Sequence, residues 1–470
     1  MYIYGGLLDE ELSAYSERLR QILSRPHLQT QAREVGFCKR ESKLSPALFF
    51  DLLFYCSTLK EEISLSQMVV YLKDRHQISL RKQSLDERFT DKCVAFIKTV
   101  LQELLEENLK CLYPQGLLRG FSRVRIKDST RFKVPSNLSN EFKPCGGRPG
   151  RFFAGASIQY EYDLISGKIL DLSIHSSSRN DRRDAIETAG EVEENDLTIR
   201  DLGYFGIPVL KSFIDKNAYF VSRLDSMVSV FDEKGSRVSF HELYHRMQKW
   251  GLDKMELPVL IGENDKLALR LIVSIVPQEV YEKRIREGKK NNESRGRGCT
   301  ISEETRLRYR FNLFITNASQ EQLAMDKVYP VYRLRWQIEL MFKCWKSIFG
   351  IAKMGGKMKK ARLLCFLYVK LLLIVINLQL VYKMQQLHSS HIQKRIDKGE
   401  KVRIPVLSLC KALKTLRYFS DKLFNAVQTG KEETEKIISE IQEILSRNHF
   451  IELRKNRMGF VELLELFICK

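Results

Sequence analysis

The sequence lacks the features that mark secreted, disulfide-bonded or zinc-bound proteins. Its ten cysteines contain no C-x-x-C pair, so neither zinc fingers nor redox-active dithiols are indicated. The opening MYIYGGLLDEEL is acidic and has no cationic stretch followed by an apolar one, so we expect no secretory signal. These absences predict a cytoplasmic protein whose cysteines are small, buried and reduced.

Acidic residues are scarce relative to basic ones. The 470 residues include 78 Lys and Arg but only 58 Asp and Glu, which gives a net charge of +20. Such an excess favours a polyanionic partner, of which nucleic acid is the commonest and an anionic membrane surface the alternative. The excess is concentrated in residues 340–420, which contain 17 basic residues and two acids. We expect this segment to form a surface that follows DNA phosphates.

An uninterrupted apolar stretch of membrane-spanning length is also missing. Residues 363–382 come nearest to one, but Lys370 lies in the middle, and Asn377 and Gln379 follow it. A lysine at the centre of a span is costly in lipid. We therefore expect a core helix of a soluble protein, with no membrane as partner.

The first 117 residues predict a helical domain. Apolar residues recur there at helical spacing, and two helical segments, residues 65–72 and 79–89, are separated by a short break. This arrangement favours a helix-turn-helix that binds DNA. The alternative is a plain helical bundle with solvated charges. The second segment would offer four side chains to phosphates or bases: Arg81, Lys82, Gln83 and Arg88.

From about residue 118 the hydrophobic period changes to that of strands. Three meandering strands are followed by a helix, a strand, a helix and a strand. The predicted segments are 121–128, 156–162, 168–174, 184–193, 197–201, 207–216 and 218–222. This order predicts an α/β fold with a ribonuclease-H-like mixed sheet as its core.

The core is expected to be interrupted by a β-rich insertion and flanked by helical domains. The insertion is inferred from strand-like runs and a polar loop at 228–231, 237–240, 267–276 and 289–298. A strand at 309–316 and a long helix from about residue 331 then return to the core. The predicted boundaries are 1–117 for the helical DNA-binding domain, 118–222 for the first part of the core, 223–305 for the insertion, 306–350 for the remaining core, and 351–470 for a basic helical domain that contacts DNA or dimerises.

Three carboxylates are the candidate catalytic groups. Asp128 and Asp201 each close a predicted apolar strand, so at neighbouring strand ends they would converge. Glu339 lies on the long helix that could pack beside them. Three carboxylates without a nearby His or Cys form a hard oxygen site suited to two Mg²⁺ ions, for which Mn²⁺ can substitute. The alternative is that acids near strand ends merely cap turns.

The predicted helix adds a second pattern. Tyr332, Arg335, Glu339 and Lys346 have offsets of 0, 3, 7 and 14 residues, which places them along one face of an α-helix. There a carboxylate could bind metal while its neighbours bind a DNA phosphate. The alternative is a charged stripe exposed to solvent.

The spacing Y-x2-R-x3-E-x6-K resembles the signature of DDE transposases encoded by bacterial insertion sequences. The segments KDST, ending at Thr130, and RDLGYF, ending at Phe205, resemble the motifs around the first and second Asp of that family. The separations of 73 and 138 residues between the three acids fit members with a β-rich insertion. The resemblance covers roughly residues 35–385.

The resemblance implies roles for individual residues. It implies that Asp128, Asp201 and Glu339 bind the metal ions. It also implies that Tyr332, Arg335 and Lys346 contact phosphates at the transposon end. Trp336 matches an aromatic residue found near the cut end in some relatives, or else is an ordinary core tryptophan.

The resemblance further implies cut-and-paste transposition in the bacterial cytoplasm, close to the nucleoid. The enzyme would bind the terminal inverted repeats as a homodimer, free a 3′-OH at each end by hydrolysis and join it to target DNA. Whether the second strand is cut through a hairpin stays open, because Trp250 is the only tryptophan in the insertion.

Two other functions remain as alternatives. One is a decayed, non-catalytic protein that only binds transposon ends and regulates them, although the presence of all three carboxylates argues against it. The other is a zinc protease, since residues 241–245 read H-E-x-x-H. No third zinc ligand is evident, so we expect His241 and His245 to be surface or DNA-facing groups.

Overall fold

The chain folds into two compact units. The computed structural model describes residues 9–107, 109, 117–146, 154–294, 296, 298, 300–400 and 405–452. The first unit contains Met1–Gly116, Ser129–Arg179 and Gln337–Lys470, and the second contains Leu117–Asp128 and Asn180–Trp336. The five predicted domain boundaries stay a prediction, and the predicted helical segment beyond residue 452 lies outside the described residues.

Helices dominate the first unit, and strands with shorter helices form the second. The helices are α1 (Glu10–Leu23), α2 (Arg25–Glu34), α3 (Pro46–Thr58), α4 (Leu65–His76), α5 (Lys82–Asp86), α6 (Asp91–Leu105), α7 (Asp181–Glu187), α8 (Ile207–Asp215), α9 (Phe240–Lys249), α10 (Gln278–Ser294), α11 (Glu303–Arg308), α12 (Met325–Arg333), α13 (Trp336–Ser347), α14 (Lys360–Ile396), α15 (Leu409–Thr429) and α16 (Lys431–Asn448). The strands are β1 (Arg123–Lys133), β2 (Gly155–Asp163), β3 (Ile169–Ser176), β4 (Asp196–Arg200), β5 (Tyr219–Arg223), β6 (Val230–Phe231), β7 (Lys254–Ile261), β8 (Leu267–Ile275) and β9 (Phe311–Thr316).

Helix α14 is the centre of the first unit. It packs against α3, α6 and α15, and 89% of its most apolar window is buried inside the protein. By length and composition it could cross a membrane, but its apolar side chains are already covered by neighbouring helices, as predicted for a core helix.

Part of the basic excess is structural. Lys383 is buried and its Nζ lies 2.8 Å from Glu107 Oε1, and the buried Arg362 lies 3.9 Å from Glu62. Lys370 is buried as well and donates to the Gly350 carbonyl at 3.0 Å. All three side chains are engaged within the helical core, so the prediction of a phosphate-following surface is wrong for them.

The predicted helix-turn-helix has a much shorter second helix than expected. Helix α4 begins with a capping box at Ser64 and Gln67, but α5 is only five residues long instead of covering 79–89. Three of the predicted DNA-binding residues, Arg81, Lys82 and Gln83, are exposed at its start. Their contact with DNA stays a prediction.

The fourth residue of that set is already engaged within the protein. Arg88 is half-buried and donates to Ser42 Oγ at 2.9 Å. It follows α5 rather than lying on it, because the helix ends at Asp86.

The strands of the second unit follow the order β1-β4-β5-β9-β8-β7-β6, and in the first unit the order is β3-β2-β1. Strands β1, β4 and β5 are parallel, whereas the pairs from β5 to β6 are antiparallel. This mixed sheet confirms the predicted α/β fold of the ribonuclease-H-like class. The division between the units falls within β1, after Asp128.

The insertion is less purely β than predicted. Residues 237–240 form only an isolated bridge at Arg237, and α9 begins at Phe240, where Ser239 caps it by accepting from the Glu242 amide. Helix α10 extends through Ser294 in place of the predicted loop. Strands β8 and β7 continue the sheet outward from β9. Because α9 begins at Phe240 and α10 continues to Ser294, the predicted strand at 237–240 and the predicted start of the loop were wrong.

Candidate active site

Asp128 and Asp201 occupy equivalent positions on neighbouring strands. The parallel pairing of β1 with β4 ends at Lys127 and Arg200, and the two aspartates are the next residues along the chain. Strand β1 itself continues to Lys133, so Asp128 does not close its strand as predicted. What ends there is the pairing with β4, and this places both carboxylates where adjacent strands about 4.8 Å apart separate.

A buried ion pair fixes β1 directly before Asp128. Lys127 and Asp184 are both buried, and Lys127 Nζ lies 2.8 Å from Asp184 Oδ2 and 3.0 Å from Thr188 Oγ1. Because a buried charge without a partner is costly, this pair couples β1 to helix α7. This ion pair was not predicted from the sequence, although a lysine within an alternating, largely apolar strand was a signal that its charge would need a partner.

A second buried carboxylate fixes β4 against the start of β1. Asp196 receives two hydrogen bonds of 2.7 Å from Arg123, and Arg125 lies 3.2 Å away. The bidentate geometry is the strongest form of an Arg–carboxylate contact. The Arg123–Asp196 contact therefore fixes the β1–β4 register at the start of the pairing, and the Lys127–Asp184 pair holds β1 against α7 at its end.

One guanidinium contacts both candidate catalytic aspartates. Arg335 Nη1 lies 3.3 Å from Asp128 Oδ2, and Arg335 Nε lies 3.9 Å from Asp201 Oδ1. The side chains of Arg335 and Asp128 are only 14% and 19% exposed, so their attraction is poorly screened by solvent, whereas Asp201 is 44% exposed. Two carboxylates that share a cation provide hard oxygen donors, which fit Mg²⁺ or Mn²⁺.

Tyr332 packs beneath this arginine. Its ring lies 5.0 Å from the Phe314 ring and 5.9 Å from the Arg335 guanidinium, and only 8% of the residue is exposed. Burial raises the pKa of Tyr332 to about 12, so its hydroxyl stays protonated at neutral pH. In this structure Tyr332 supports Arg335, and the predicted phosphate contact stays a prediction.

The predicted continuous helix is broken between Tyr332 and Glu339. Helix α12 ends at Arg333, and the amides of Leu334 and Arg335 bond to the carbonyls three residues before them. These tighter turns end the α-helical stripe, and α13 begins anew at Trp336. The prediction that the four signature residues lie along one helix was wrong.

Glu339 and Lys346 belong to α13 and to the first unit. Glu339 is half-buried in the first turn, where the helix dipole favours a negative charge. Lys346 is exposed and donates to the Arg131 carbonyl at 3.2 Å, and partial burial lowers its pKa. The structure thus brings Asp128, Asp201 and Arg335 together in the second unit and carries Glu339 on a helix of the first.

Side-chain packing anchors α13. The buried Trp345 makes edge contacts with the Tyr160 and Phe342 rings, with centroids 4.9 and 5.3 Å apart. The chain then turns at Gly350 with a φ of +61°, where a Cβ would lie 2.6 Å from the Lys60 carbonyl oxygen. Lys370 donates a hydrogen bond to the Gly350 carbonyl, so it holds the turn that follows α13.

Trp336 is not a core tryptophan. Its side chain is 55% exposed at the first position of α13, directly after Arg335. The structure therefore excludes the alternative of an ordinary core tryptophan, and the indole is accessible to solvent.

The H-E-x-x-H motif lies on α9 in the second unit. His241 and His245 are exposed, with ring centroids 4.5 Å apart. Within the described ranges, no group of three or more His, Cys, Asp or Glu side chains is assembled to hold a metal ion, and this finding covers Asp128, Asp201 and Glu339 as well as the two histidines. The histidine pair therefore offers two ligands at most, which does not make a zinc protease site.

Comparison with known proteins agrees with the sequence motifs. Residues 119–376 match the family described as transposase DDE domain. The chain is 32% identical to the transposase for insertion sequence element IS231E of Bacillus thuringiensis subsp. finitimus, over 93% of this chain and 92% of that protein. It is 30% identical to the IS231F transposase of subsp. israelensis over 94% and 92%, and 26% identical to the IS1151 transposase of Clostridium perfringens over 80% and 82%.

The matched region contains every residue of the signature, and the similarity to these transposases extends over almost the whole chain. The chain therefore belongs to the DDE transposases of insertion sequences, enzymes that act on DNA and in general use divalent metal ions.

Proposed function

We propose that this transposase cuts the ends of its element at a site made by Asp128, Asp201 and Glu339, and joins the freed 3′-OH to target DNA. One observation carries the proposal: Asp128 and Asp201 follow the last paired residues of β1 and β4 and share the Arg335 guanidinium. Glu339 is included because it completes the family signature on the helix that follows Arg335.

The three carboxylates are proposed to hold two Mg²⁺ ions, with Mn²⁺ as a substitute. When bound, such ions supply activation of the attacking water or 3′-OH and stabilisation of the leaving oxygen. The oxygen-only donor set of Asp128 and Asp201 supports this choice over zinc.

Arg335 is proposed to change partners when DNA binds. Without DNA, its guanidinium offsets the mutual repulsion of Asp128 and Asp201. A DNA phosphate offers the same planar donor a competing anion, so Arg335 would orient the phosphate beside the carboxylates.

Exposed groups on α13 would position the DNA end. The accessible indole of Trp336 can stack on a base near the cut, and Lys346 can contact a phosphate. Exposed Arg81, Lys82 and Gln83 would bind the terminal inverted repeats. We further propose a homodimer that pairs two ends and works in the bacterial cytoplasm, in association with the nucleoid.

The test is cleavage of a labelled duplex that carries the DNA flanking this gene, with Mg²⁺, Mn²⁺ or EDTA. Asp128→Asn, Asp201→Asn and Glu339→Gln should each lower nicking by about 1000-fold or more, because each removes a metal ligand. Binding of the duplex in a gel-shift assay should change little. Asp215→Asn, an exposed acid at the end of α8, is the matched control and should cut normally.

The outcomes separate the alternatives. Retained nicking by any of the three variants would remove that residue from the site. Tight binding without nicking by the unmodified protein would favour the regulatory function.

A further inference from the structure

Two pairs of cysteine thiols lie in contact within the first unit. Cys344 Sγ lies 3.1 Å from Cys410 Sγ, and Cys93 Sγ lies 3.4 Å from Cys365 Sγ. Cys344 is on α13, five residues after Glu339, and Cys410 is in the first turn of α15. Because Cys344 and Cys410 lie far apart in the sequence, no rule based on cysteine spacing predicts this pair.

The two pairs differ in access from solvent. Cys410 is exposed, and its partner Cys344 is buried next to it. A cavity of about 200 Å³ is lined by both cysteines and in part by α13. Cys93 and Cys365 are both fully buried. A small oxidant in water can therefore reach the first pair and not the second.

We propose that Cys344 and Cys410 form a reversible disulfide in response to hydrogen peroxide, and that this bond holds the Glu339 helix against α15. The sulfur of Cys410 attacks one peroxide oxygen, the O–O bond breaks, and the products are a Cys410 sulfenic acid and water. The sulfur of Cys344 then attacks the sulfenic sulfur, and the sulfenic oxygen leaves as a second water with the Cys344 proton. Two thiols lose two electrons and two protons, and one peroxide becomes two waters.

The order of attack follows from the surroundings of each sulfur. Burial, together with the neighbouring Cys410 thiol, raises the pKa of Cys344 to about 12, so this thiol stays protonated at neutral pH. The exposed Cys410 is therefore the first nucleophile, and Cys344 is the resolving group. Because a disulfide is about 2.05 Å long, the two sulfur atoms need to approach by only about 1 Å.

The consequence for catalysis rests on the proposed function. Helix α13 carries Glu339 and Lys346, so a bond at Cys344 restrains the helix one turn beyond the candidate metal ligand. A displacement of about 1 Å in a catalytic group can lower a rate by about 100-fold. We expect the oxidised protein to nick DNA up to about 100-fold more slowly and to recover with dithiothreitol.

The disulfide is tested without any assay of activity. The full chain is reduced, freed of reductant, treated with stoichiometric hydrogen peroxide, alkylated and digested for mass spectrometry. We expect a peptide crosslink between Cys344 and Cys410, while Cys93 and Cys365 are alkylated as free thiols after denaturation. Cys410→Ser should abolish the crosslink, and Cys93→Ser should leave it intact. Oxidation of Cys410 to sulfinic acid without a crosslink, or preferential crosslinking of Cys93 to Cys365, would overturn the proposal.

Cleavage by the reduced, oxidised and re-reduced protein tests the regulatory part. Peroxide should slow the unmodified protein and leave Cys410→Ser unaffected. A crosslink with unchanged cleavage would overturn regulation. Absence of cleavage even in the reduced protein would contradict the proposed function instead, and the mass measurement would still decide the disulfide.

Discussion

In the second unit, Asp128 and Asp201 directly follow the paired residues of two strands, whereas in the first unit Glu339 is carried by a helix. The positions of the aspartates follow from backbone register, since Lys127 pairs with Arg200 and the acids come next. The position of Glu339 depends instead on side chains that anchor α13, above all Trp345 and its aromatic partners.

The difference indicates how each part of the site can vary. The register of two paired strands can shift only by whole residues. Asp128 and Asp201 therefore either follow paired residues or are offset along the strands by at least one residue. A helix held by side chains can shift by fractions of an ångström as those side chains change. We infer that α13 is the adjustable part of the site, which is also why a bond at Cys344 would matter.

The largest effect is expected from removing the buried cation of β1. Lys127→Met leaves Asp184 buried without its lysine, and this should lower the free energy of unfolding by about 3 to 5 kcal/mol. Urea unfolding measures the loss. The double variant Lys127→Met, Asp184→Leu should recover most of it, because both charges are then absent. A loss below about 1 kcal/mol would show that strand pairing holds β1 without this pair.

A smaller, pH-dependent effect on the free energy of unfolding is expected from Lys370, which bonds to the turn after α13. Burial lowers the pKa of Lys370 to about 8, and an unfolded lysine titrates near about 10.4. Between these values the unfolded chain binds more protons, so this group raises stability as pH rises from about 8 to about 10.4. The full change is about 3 kcal/mol.

The measurement compares unfolding of the unmodified protein and Lys370→Met at pH 7.5 and pH 10. The difference between the two proteins isolates the lysine from the tyrosines and thiols that titrate in the same range. The groups around Lys370 that also bear charge are Glu62, Lys353 and Arg417. An equal pH response in both proteins would show that burial does not lower the pKa of Lys370.

The smallest effect is expected from changes on α9, which carries none of the three candidate catalytic acids. Changing the exposed His241 and His245 to Ala should alter stability by less than about 0.5 kcal/mol, because surface positions contribute little. Metal analysis of the purified protein should give no zinc that depends on these residues. Stoichiometric zinc lost in the double variant would reopen the protease alternative.

The fold was largely predictable because its signals are local. Alternating apolar residues gave the strands, and the burial of α14 followed from the interruption at Lys370. Errors occurred where a cap or a short turn decides the structure. Ser239 starts a helix in a segment that also alternates like a strand, and α5 ends at Asp86 although its periodicity continues.

The sequence predicts residues for the candidate site but not their arrangement. The motifs around Asp128 and Asp201 are short and local, so the sequence shows them directly. The helix offset rule failed for Tyr332 and Glu339, since it assumes an unbroken helix and the chain turns at Arg335. No local pattern predicts that Arg335 contacts both aspartates.

The sequence by itself determined the family and the α/β class and singled out the candidate acidic residues, because these depend on residue types at short spacings. Only the tertiary structure decided that Lys127 pairs with Asp184, that Arg335 is shared by two carboxylates and that Cys344 meets Cys410. Each of these contacts joins residues far apart in the chain, and the packing of whole strands and helices sets such distances.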